Sequence, residues 1–587
     1  MQAIPHPEHP RPDLQRPLWH SLNGRWQFAG DIQGRGLCEE WWQRSSLPQE
    51  VLVPYPIGSE RSGVEAIDAP QAVYWYLRLF DLPPEMHHRC LHLHFGAADC
   101  HARAWLNGAL LGDHNGGYTP FSFDVTEMVR PQGNRLVLRV ADSRSPRQAR
   151  GKQAWRREPF SVFYPGISGL WQSVWLEATG PSRLLGLRLS GDPANGRVHL
   201  RAAVQRPEPA AWLDASLRDN SSYPELLTRI RVQGGRIAGA IPLPSPRTWT
   251  PETPHLYELE LVLRTEEGAE LDRLYTYAAL REIAVRDGRV LLNGRPLYQK
   301  LALVQGYYPE GVYTPVADGD WRRDVELVKA MGFNGLRIHQ KLEAPRFLSW
   351  CDRLGLLVWS ELPSAYWPGS ASRAQVRAML PEMINRDANH PAIIAWVLFN
   401  ESWGIHDLNW RKSTRADVVQ LANQARNLDP SRLVVDNSGF DHLDTDLMDI
   451  HHYLADPQVI ERVYDDLEQG RLWRYAFLPG LRYLFQPERV FKPPLGPGAH
   501  YRGQPVLVSE CGGHGHYGGV DERPLLEQYR STVERIARRD LFQGFCYTQA
   551  YDTYQERDGL LTFDRQPKMP INELRAINES LNRRETP

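Results

Sequence analysis

The chain has 587 residues, more than one hydrophobic core usually holds, so we expect roughly two to four domains. Hydrophobic residues make up 42% of the sequence and charged residues 24%, and the net charge is -2, a balance that argues against nucleic acid or an anionic membrane surface as partner. The first residues, MQAIPHPEHPRPDLQRP, lack the apolar core of a signal peptide, and no apolar run reaches the length that crosses a bilayer. We therefore expect a cytoplasmic protein.

The cysteines do not point to a metal or a disulfide framework. No CxxC pair occurs, and the spacing matches no zinc pattern, among Cys38, Cys90, Cys100, Cys351, Cys511 and Cys546. Six cysteines in a chain of this length are too few for a disulfide scaffold. We expect no metal site and no cofactor.

Residues 1–180 are predicted to form an antiparallel β-sandwich of the jelly-roll type. Short alternating runs such as AVYWYLRLFDL, CLHLHFG and NRLVLRVAD are separated by turn residues, and no amphipathic helix intervenes. The stretch WLNGALLG predicts a hairpin with Asn107-Gly108 at its turn.

Residues 181–282 continue in strands, including RVHLRAAV and LYELELVLRT, at a spacing that favours an immunoglobulin-like sandwich.

Strands alternate with helices over 283–587, which predicts a catalytic (β/α)8 TIM barrel. The eight expected strands are 297–305, 333–339, 355–362, 393–401, 432–438, 448–453, 505–510 and 542–548. Two further stretches, the aromatic and proline-rich 470–500 and the glycine-rich 512–519, are expected to be loops over the barrel mouth.

Polar residues follow the apolar runs of these strands, where TIM barrels carry their chemistry. The strand ending in IIAWVLFNES closes on Asn400 and Glu401, and the strand PVLVSE closes on Glu510. Strands four and seven of a closed barrel face each other across its mouth. Two carboxylates so placed suit glycoside hydrolysis, in which one protonates the leaving oxygen and the other stays ionised.

The chain resembles glycoside hydrolase family 2, which comprises the β-galactosidases, β-glucuronidases and β-mannosidases. SLNGRWQFAGD resembles the family's opening strand, GISGLWQSVWLE the end of its sugar-binding jelly roll, NRDANHPAIIAWVLFNES its acid/base segment and PVLVSECGG its nucleophile segment. The resemblance covers nearly the whole chain. It implies a retaining exo-acting enzyme that works by double displacement on a glycoside or oligosaccharide, with a homo-oligomer left open.

The resemblance also implies roles for individual residues. Glu401 matches the general acid/base and Glu510 the nucleophile. Asn400 matches the amide that binds the sugar 2-hydroxyl, and Arg337 the arginine that keeps the nucleophile ionised. Tyr453 matches the tyrosine that hydrogen-bonds the nucleophile.

Four further residues are candidates for substrate binding. Tyr547 falls where β-galactosidases carry a tryptophan that floors the sugar site. His339 stands near the second strand's end with its role open. His452 is favoured over its neighbour, since adjacent strand residues point to opposite faces. Trp403 either packs under the acid/base or lines the leaving-group site.

Departures from the family pattern bear on the substrate. Glu361 would be a Mg²⁺ ligand in bacterial β-galactosidases with a histidine two residues on, but here that position is Pro363, so no magnesium site is expected. The asparagine and lysine with which β-glucuronidases bind the sugar carboxylate are replaced by Glu556 and Asp558, which would repel a uronate.

The favoured reading is a β-galactosidase type of enzyme. Alternatives are a β-glucuronidase or β-galacturonidase, an arabinopyranosidase, a transglycosylase that shares every catalytic residue, and a carbohydrate-binding protein without catalysis.

Overall fold

The computed structural model describes residues 4–218, 224–454, 456–471, 492–513 and 523–581. Most of the predicted mouth loops, 470–500 and 512–519, lies outside these residues. Within them, two sandwich-type regions precede an eight-stranded parallel barrel, so the predicted fold class is confirmed.

The first region is a sandwich of a four-stranded sheet, ordered β1-β12-β5-β9, and a six-stranded sheet, ordered β3-β2-β4-β10-β7-β8, with a small β11-β6 pair. The side chains of Trp26, Tyr76 and Leu138 fill the space between them. Asn107 and Gly108 both adopt positive φ, 54° and 90°, which fits the tight turn predicted for the hairpin between β7 and β8. In chain order β1 to β12 are Trp19–Ser21, Gly24–Gly30, Gln49–Val53, Gln71–Phe80, Cys90–Phe95, Ala98–Asp99, His101–Leu106, Ala109–Asn115, Phe121–Asp124, Asn134–Ser143, Gly169–Leu170 and Val174–Thr179, with 3-10 turns at Trp41–Gln43, Glu60–Ser62 and Pro84–Met86.

The second region packs a three-stranded sheet, β13-β14-β17, on a four-stranded sheet, β16-β15-β18-β19. Strand β14 alternates buried and exposed residues along its length, as expected for a strand with one face on the core. A short three-stranded sheet, β20 to β22, then leads into the barrel. Strands β13 to β22 are Arg183–Asp192, Arg197–Gln205, Ala211–Leu217, Glu225–Arg231, Arg236–Pro242, Tyr257–Thr265, Glu270–Ala278, Ile283–Arg286, Arg289–Leu292 and Arg295–Pro296.

The barrel contains all eight predicted strands, β23 to β30, in the order β27-β26-β25-β24-β23-β30-β29-β28 with every neighbouring pair parallel. They are Gln299–Val304, Gly335–Ile338, Leu357–Glu361, Ile393–Val397, Leu433–Val435, Met448–His451, Val506–Gly512 and Phe542–Thr548. Helices alternate with these strands, as predicted, and the described residues form seven of them. Helices α1 to α7 are Asp318–Ala330, Pro345–Leu354, Ser370–Asp387, Lys412–Leu428, Pro457–Glu468, Leu525–Ala537 and Ile571–Ser580, with a 3-10 turn at His406–Asn409.

The predicted domain boundaries fall at or near the junctions between these regions. Residue 180 follows β12, and residue 283 begins β20. The division into 1–180, 181–282 and 283–587 stays a prediction. All five residues of β26 are buried in the barrel wall. The residues that follow its C-terminal end therefore lie at the barrel mouth.

Candidate active site

Two carboxylates meet at the mouth of the barrel, joined by one histidine. His451, the last residue of β28, has Nδ1 3.0 Å from Glu401 Oε1 and Nε2 3.5 Å from Glu510 Oε1. One oxygen of Glu401 and one of Glu510 lie within 4.8 Å of each other. Glu401 is the more accessible carboxylate, with 27% of its side chain exposed against 8% for Glu510. Both sequence-predicted carboxylates therefore lie at one site.

Both oxygens of Glu510 accept hydrogen bonds. Arg337 Nη1 donates to Oε1 at 3.0 Å, and the Tyr453 hydroxyl donates to Oε2 at 2.5 Å. The Thr548 hydroxyl lies 3.3 Å from the same tyrosine oxygen. Two donors that favour the ionised carboxylate suit a group that must remain an anion.

Arg337 donates hydrogen bonds to several polar groups of the site. It is fully buried, and it donates to Glu361 Oε2 at 2.9 Å and to Asn400 Oδ1 at 2.7 Å. Burial alone would lower the pKa of Arg337, but the charges of Glu361 and Glu510 raise it above its ordinary value. The guanidinium thus stays charged and fixes the orientation of three neighbours at once.

Glu361 forms an ion pair with Arg337 through its Oε2 atom. Burial would raise its pKa, but Arg337 and then His339, whose Nδ1 is 3.3 Å from Glu361 Oε2, hold the pKa of Glu361 below its usual range. A carboxylate already paired with a buried guanidinium and followed by Pro363 is a poor ligand for Mg²⁺. The donor set around Glu361 therefore does not fit the magnesium site of bacterial β-galactosidases.

Glu401 follows β26 on a strained piece of backbone. Glu401 and Ser402 have φ of 50° and 60°, left-handed values that ordinary residues rarely adopt, and the backbone N–H of Glu401 donates to Ser438 O at 2.9 Å. Burial would raise the pKa of the Glu401 carboxyl, but the hydrogen bond to His451 and the positive charges of Lys492 and Lys152 lower it. These contacts favour the ionised form of the Glu401 carboxyl in the substrate-free site.

Of the two adjacent histidines, His451 faces the site and the predicted His452 does not. His452 Nε2 is 2.6 Å from the Tyr464 hydroxyl on α5, and burial lowers its pKa to about 4. The prediction of His452 is thus corrected to His451. The alternation rule allowed one of the pair to face the mouth, but β28 pairs with β29 through a register shift at this point, which the sequence does not reveal.

Tyr547 also lies elsewhere than predicted. It is fully buried, and its ring packs on Tyr529 of α6 with centroids 4.9 Å apart, so it faces the helix layer. A Cβ at Gly512 would come within 2.4 Å of the Tyr547 ring, so the glycine at the end of β29 makes room for that ring. Thr548, one residue on and on the opposite face of β30, points to Tyr453 instead.

Trp403 forms part of an aromatic wall to which the first sandwich contributes. Its ring centroid is 5.1 Å from that of Phe163 and 5.2 Å from that of Tyr366. Trp155 stacks on Tyr366 at 5.0 Å. The predicted alternatives for Trp403, packing and lining the mouth, are both compatible with this position.

Models of one enzyme family match three successive parts of the chain. The model for the galactose-binding-like domain of glycosyl hydrolase family 2 matches residues 57–167, a model described as glycosyl hydrolases family 2 matches 195–281, and the family's TIM barrel model matches 283–471. The chain belongs to glycoside hydrolase family 2.

Relatives and solved neighbours carry names of three activities. A β-galactosidase of Thermoanaerobacter pseudethanolicus is 27% identical over 62% of this chain, and the chain spans about half the length of that relative, 51%. A β-glucuronidase of Paenibacillus borealis is 22% identical, with 97% of this chain and 98% of that protein covered. A solved family 2 β-galacturonidase of Eisenbergiella tayi, bound to galacturonate, superposes with a TM-score of 0.74 at 19% identity, covering 97% and 98% of the two chains. At such identity the superposition shows a shared fold.

Within the described part of the chain, no helix is long and apolar enough to span a membrane.

Proposed function

We propose that this family 2 protein is a retaining exo-β-glycosidase that releases a terminal neutral sugar, most simply β-galactose. The observation that carries the proposal is the separation of the two carboxylates, with one oxygen of each within 4.8 Å of the other. Retaining glycosidases hold their carboxyl groups about 5–5.5 Å apart, whereas inverting enzymes leave a wider gap for water.

In the first half-reaction, Glu510 attacks the anomeric carbon while protonated Glu401 gives its proton to the glycosidic oxygen. The bond to the leaving group breaks, and a glycosyl ester forms on Glu510. In the second half-reaction, ionised Glu401 removes a proton from water, which attacks the anomeric carbon and frees Glu510. If an acceptor sugar takes the place of water, the same residues perform transglycosylation.

Asn400 supports this mechanism through the direction of its amide. Its Oδ1 accepts from Arg337 at 2.7 Å, so the Nδ2 group is the one available to a ligand. Nδ2 can donate to the sugar 2-hydroxyl oxygen, a contact that strengthens in the transition state of glycoside hydrolysis.

Two buried acids support a neutral sugar rather than a uronate. Glu556 accepts from the Tyr164 hydroxyl, and Asp558 Oδ1 accepts from Gln549 Nε2 at 2.9 Å, just after β30. Burial and then the charge of Glu556 raise the pKa of Asp558 to about 7. Carboxyl groups suit sugar hydroxyls as hydrogen-bond partners, whereas a uronate carboxylate beside them would be repelled.

A uronide hydrolase is the second candidate, because relatives and solved neighbours are named β-glucuronidase and β-galacturonidase. It would need a cation close enough to offset Glu556 and Asp558.

The test is a panel of p-nitrophenyl glycosides: β-galactoside, β-glucuronide, β-galacturonide, β-glucoside, β-mannoside, β-xyloside and α-L-arabinopyranoside, with Glu510→Gln as the inactive control. A 2-deoxy-2-fluoro inactivator of the preferred sugar should add one sugar mass to the peptide that carries Glu510. Hydrolysis with inversion at the anomeric carbon, seen by NMR, would refute the retaining mechanism. The absence of both turnover and labelling across the panel would favour a carbohydrate-binding protein.

A further inference from the structure

Three loops at the barrel mouth are bonded to one another through their backbones. The loops after β25 and β26 meet where Gly404 N donates to Tyr366 O at 3.1 Å, and a Cβ at Gly404 would come within 2.8 Å of a carbonyl oxygen of the facing loop. A loop of the first sandwich joins them, because Trp367 N donates to Pro146 O at 2.9 Å. The loop that begins at Glu401 is thereby fixed against the other two.

The three loops contribute rings to one cluster beside Glu401. Trp403, two residues after Glu401, is 7% exposed, and its ring centroid lies 5.2 Å from that of Tyr366. Trp155 of the first sandwich stacks on Tyr366 with centroids 5.0 Å apart, and both of these side chains are half-buried. We refer to Trp155, Tyr366 and Trp403 as the inner aromatic cluster.

Two exposed tryptophans extend the same loops towards the solvent. Trp367, next to Tyr366, is 50% exposed, and Trp410, on the loop of Glu401, is 69% exposed. Every other tryptophan in the described ranges is buried or half-buried. The loop of Trp410 contacts the inner aromatic cluster through His406, whose ring centroid is 5.5 Å from that of Tyr366. The outer tryptophans therefore flank the inner aromatic cluster on two separate loops.

The outer tryptophans have large apolar faces open to a ligand. Among the described residues, neither Trp367 nor Trp410 pairs its ring with another aromatic ring or a cation. A single exposed apolar side chain is ordinary on a protein surface, but exposed indoles on adjacent loops of an active site are typical of a binding surface. An indole is rigid, so it offers a large contact area at a small cost in conformational entropy.

The position beside Glu401 indicates what the surface binds. Under the proposed mechanism Glu401 protonates the glycosidic oxygen, so the leaving group lies on its side of the cleaved bond. A pyranose ring presents an apolar C–H face that packs on an aromatic ring. One such ring, or one aryl group, is accommodated by the inner aromatic cluster alone. Contact with the outer tryptophans requires a longer leaving group.

We infer that the natural substrate is an oligosaccharide whose leaving part is a chain of two or more sugars stacked on Trp367 and Trp410. The inference rests on the proposed glycosidase function and adds the chemical class and the length of the leaving group. The sugar next to the cleaved bond lies against the inner aromatic cluster, and the sugars beyond it contact the outer tryptophans.

The experiment measures kcat/KM against the length of the substrate. The probes are β-1,3-, β-1,4- and β-1,6-linked galacto-oligosaccharides of two to five units, or the corresponding series of another sugar that the glycoside panel selects. The p-nitrophenyl glycoside of the same sugar is the reference, because it reaches no further than one ring beyond the cleaved bond. Only the first half-reaction involves the leaving group, and kcat/KM reports that step.

We expect kcat/KM to rise from the disaccharide to the longer members of at least one series by about three- to tenfold for each tryptophan contacted, as expected for a stacking contact of an aromatic ring. Trp367→Ala and Trp410→Ala should each remove one such factor, with a loss that grows with chain length and is smallest on the p-nitrophenyl glycoside. Trp367→Phe keeps a ring and should retain most of the effect.

Tyr501→Ala is the matched control. Tyr501 is also exposed, at 42%, but it precedes β29 and so lies towards the opposite end of the barrel. Its removal should leave the dependence on chain length unchanged. Affinity can be measured without turnover by titrating the same oligosaccharides into Glu510→Gln by calorimetry. Binding should tighten with chain length, and Trp367→Ala in that background should abolish the gain.

Four results would overturn the inference. A kcat/KM that stays flat across every series would show that no sugar is bound beyond the first. A rise that survives in both alanine variants would place the chain on another surface. An equal loss on the p-nitrophenyl glycoside and the longest oligosaccharide would show that the tryptophans support the site rather than bind the chain. A change of oligomeric state in either variant, seen by sedimentation, would assign the tryptophans to a contact between copies of this chain.

Failure of the glycosidase proposal is a distinguishable outcome. In that case the p-nitrophenyl glycosides would not be hydrolysed and Glu510 would not be labelled, and the inference would fall with the proposal. Turnover of a p-nitrophenyl glycoside with no dependence on chain length would refute the inference and leave the glycosidase function standing.

Discussion

Replacing His451 by alanine tests how the site controls its acid. The imidazole is 3.0 Å from Glu401 Oε1, and Arg337 Nη1 donates towards its Nε2 at 3.2 Å, so Nδ1 carries the proton that Glu401 accepts. That hydrogen bond stabilises the ionised carboxylate. In His451→Ala the carboxylate loses it, and the pKa of Glu401 should rise.

The size of the rise follows from the strength of the bond. A hydrogen bond to a charged group contributes about 1.5–3 kcal/mol, and one pKa unit corresponds to about 1.4 kcal/mol, so the pKa should rise by about 1–2 units. Other groups that act on Glu401 or lie beside it remain in the variant, namely Lys152, Lys492, His406 and Glu510. Glu401 must be protonated to act as acid, so the alkaline limb of kcat/KM should move up by the same amount.

The assay is kcat/KM against pH for a substrate with a poor leaving group. The optimum rate of His451→Ala should be about 10- to 100-fold lower, because the carboxyl of Glu401 is no longer held in place. A 2,4-dinitrophenyl glycoside, whose leaving group needs no proton, should show little loss.

His452→Ala is the matched control, because that ring bonds Tyr464 and faces away from the site. An alkaline limb that moves in His452→Ala and stays fixed in His451→Ala would refute the assignment.

Three further substitutions probe the buried charges by urea unfolding. Arg337→Met leaves Glu361 and Glu510 without their countercharge and should cost about 3–5 kcal/mol of unfolding free energy at neutral pH, whereas an unchanged midpoint would contradict the ion-pair role. The pKa of Asp558 is raised to about 7, so its contribution to stability falls as pH rises from about 4 to 7. The free energy of unfolding of Asp558→Asn, taken relative to that of the parent, should therefore be higher at pH 8 than at pH 5 by roughly 2–4 kcal/mol. Burial would lower the pKa of His442, but the two aspartates that bond it raise the pKa to about 10. Its stabilising effect is therefore complete below about pH 6.5 and is lost as the pH rises to about 10. His442→Gln should lose less stability than the parent over that interval.

The barrel was predictable because its periodicities are strong. Buried strands such as β26 are continuous apolar runs that end in polar residues, and intervening helices such as α2 and α6 are amphipathic. The two carboxylates followed from their places at the ends of opposite strands. Helix α5 was harder to predict from the sequence, because a histidine- and aspartate-rich segment precedes it and the predicted mouth loop follows it.

The errors at the site have a common physical cause. His451 ends β28 and His452 follows it, so this pair differs in the side to which each ring points, while Tyr547 and Thr548 lie on opposite faces of β30. A bulge or register shift inverts such an assignment, and both strands pair with β29 through shifted registers. Sequence patterns fix where a strand ends far better than which face each of its last residues occupies.

The lysines beside Glu401 come from parts of the chain that no local pattern connects. Lys152 belongs to a loop of the first sandwich that is joined to the barrel through the bond from Gly151 to Ser364, and Lys492 precedes a segment bound to the residues after β27. A barrel deprived of the first sandwich would therefore lose Lys152 and Phe163 from its mouth, while its two carboxylates would remain. Under the proposed function, the barrel strands hold the bond-breaking groups, and the first sandwich contributes Lys152 and Phe163 to the surroundings of the mouth.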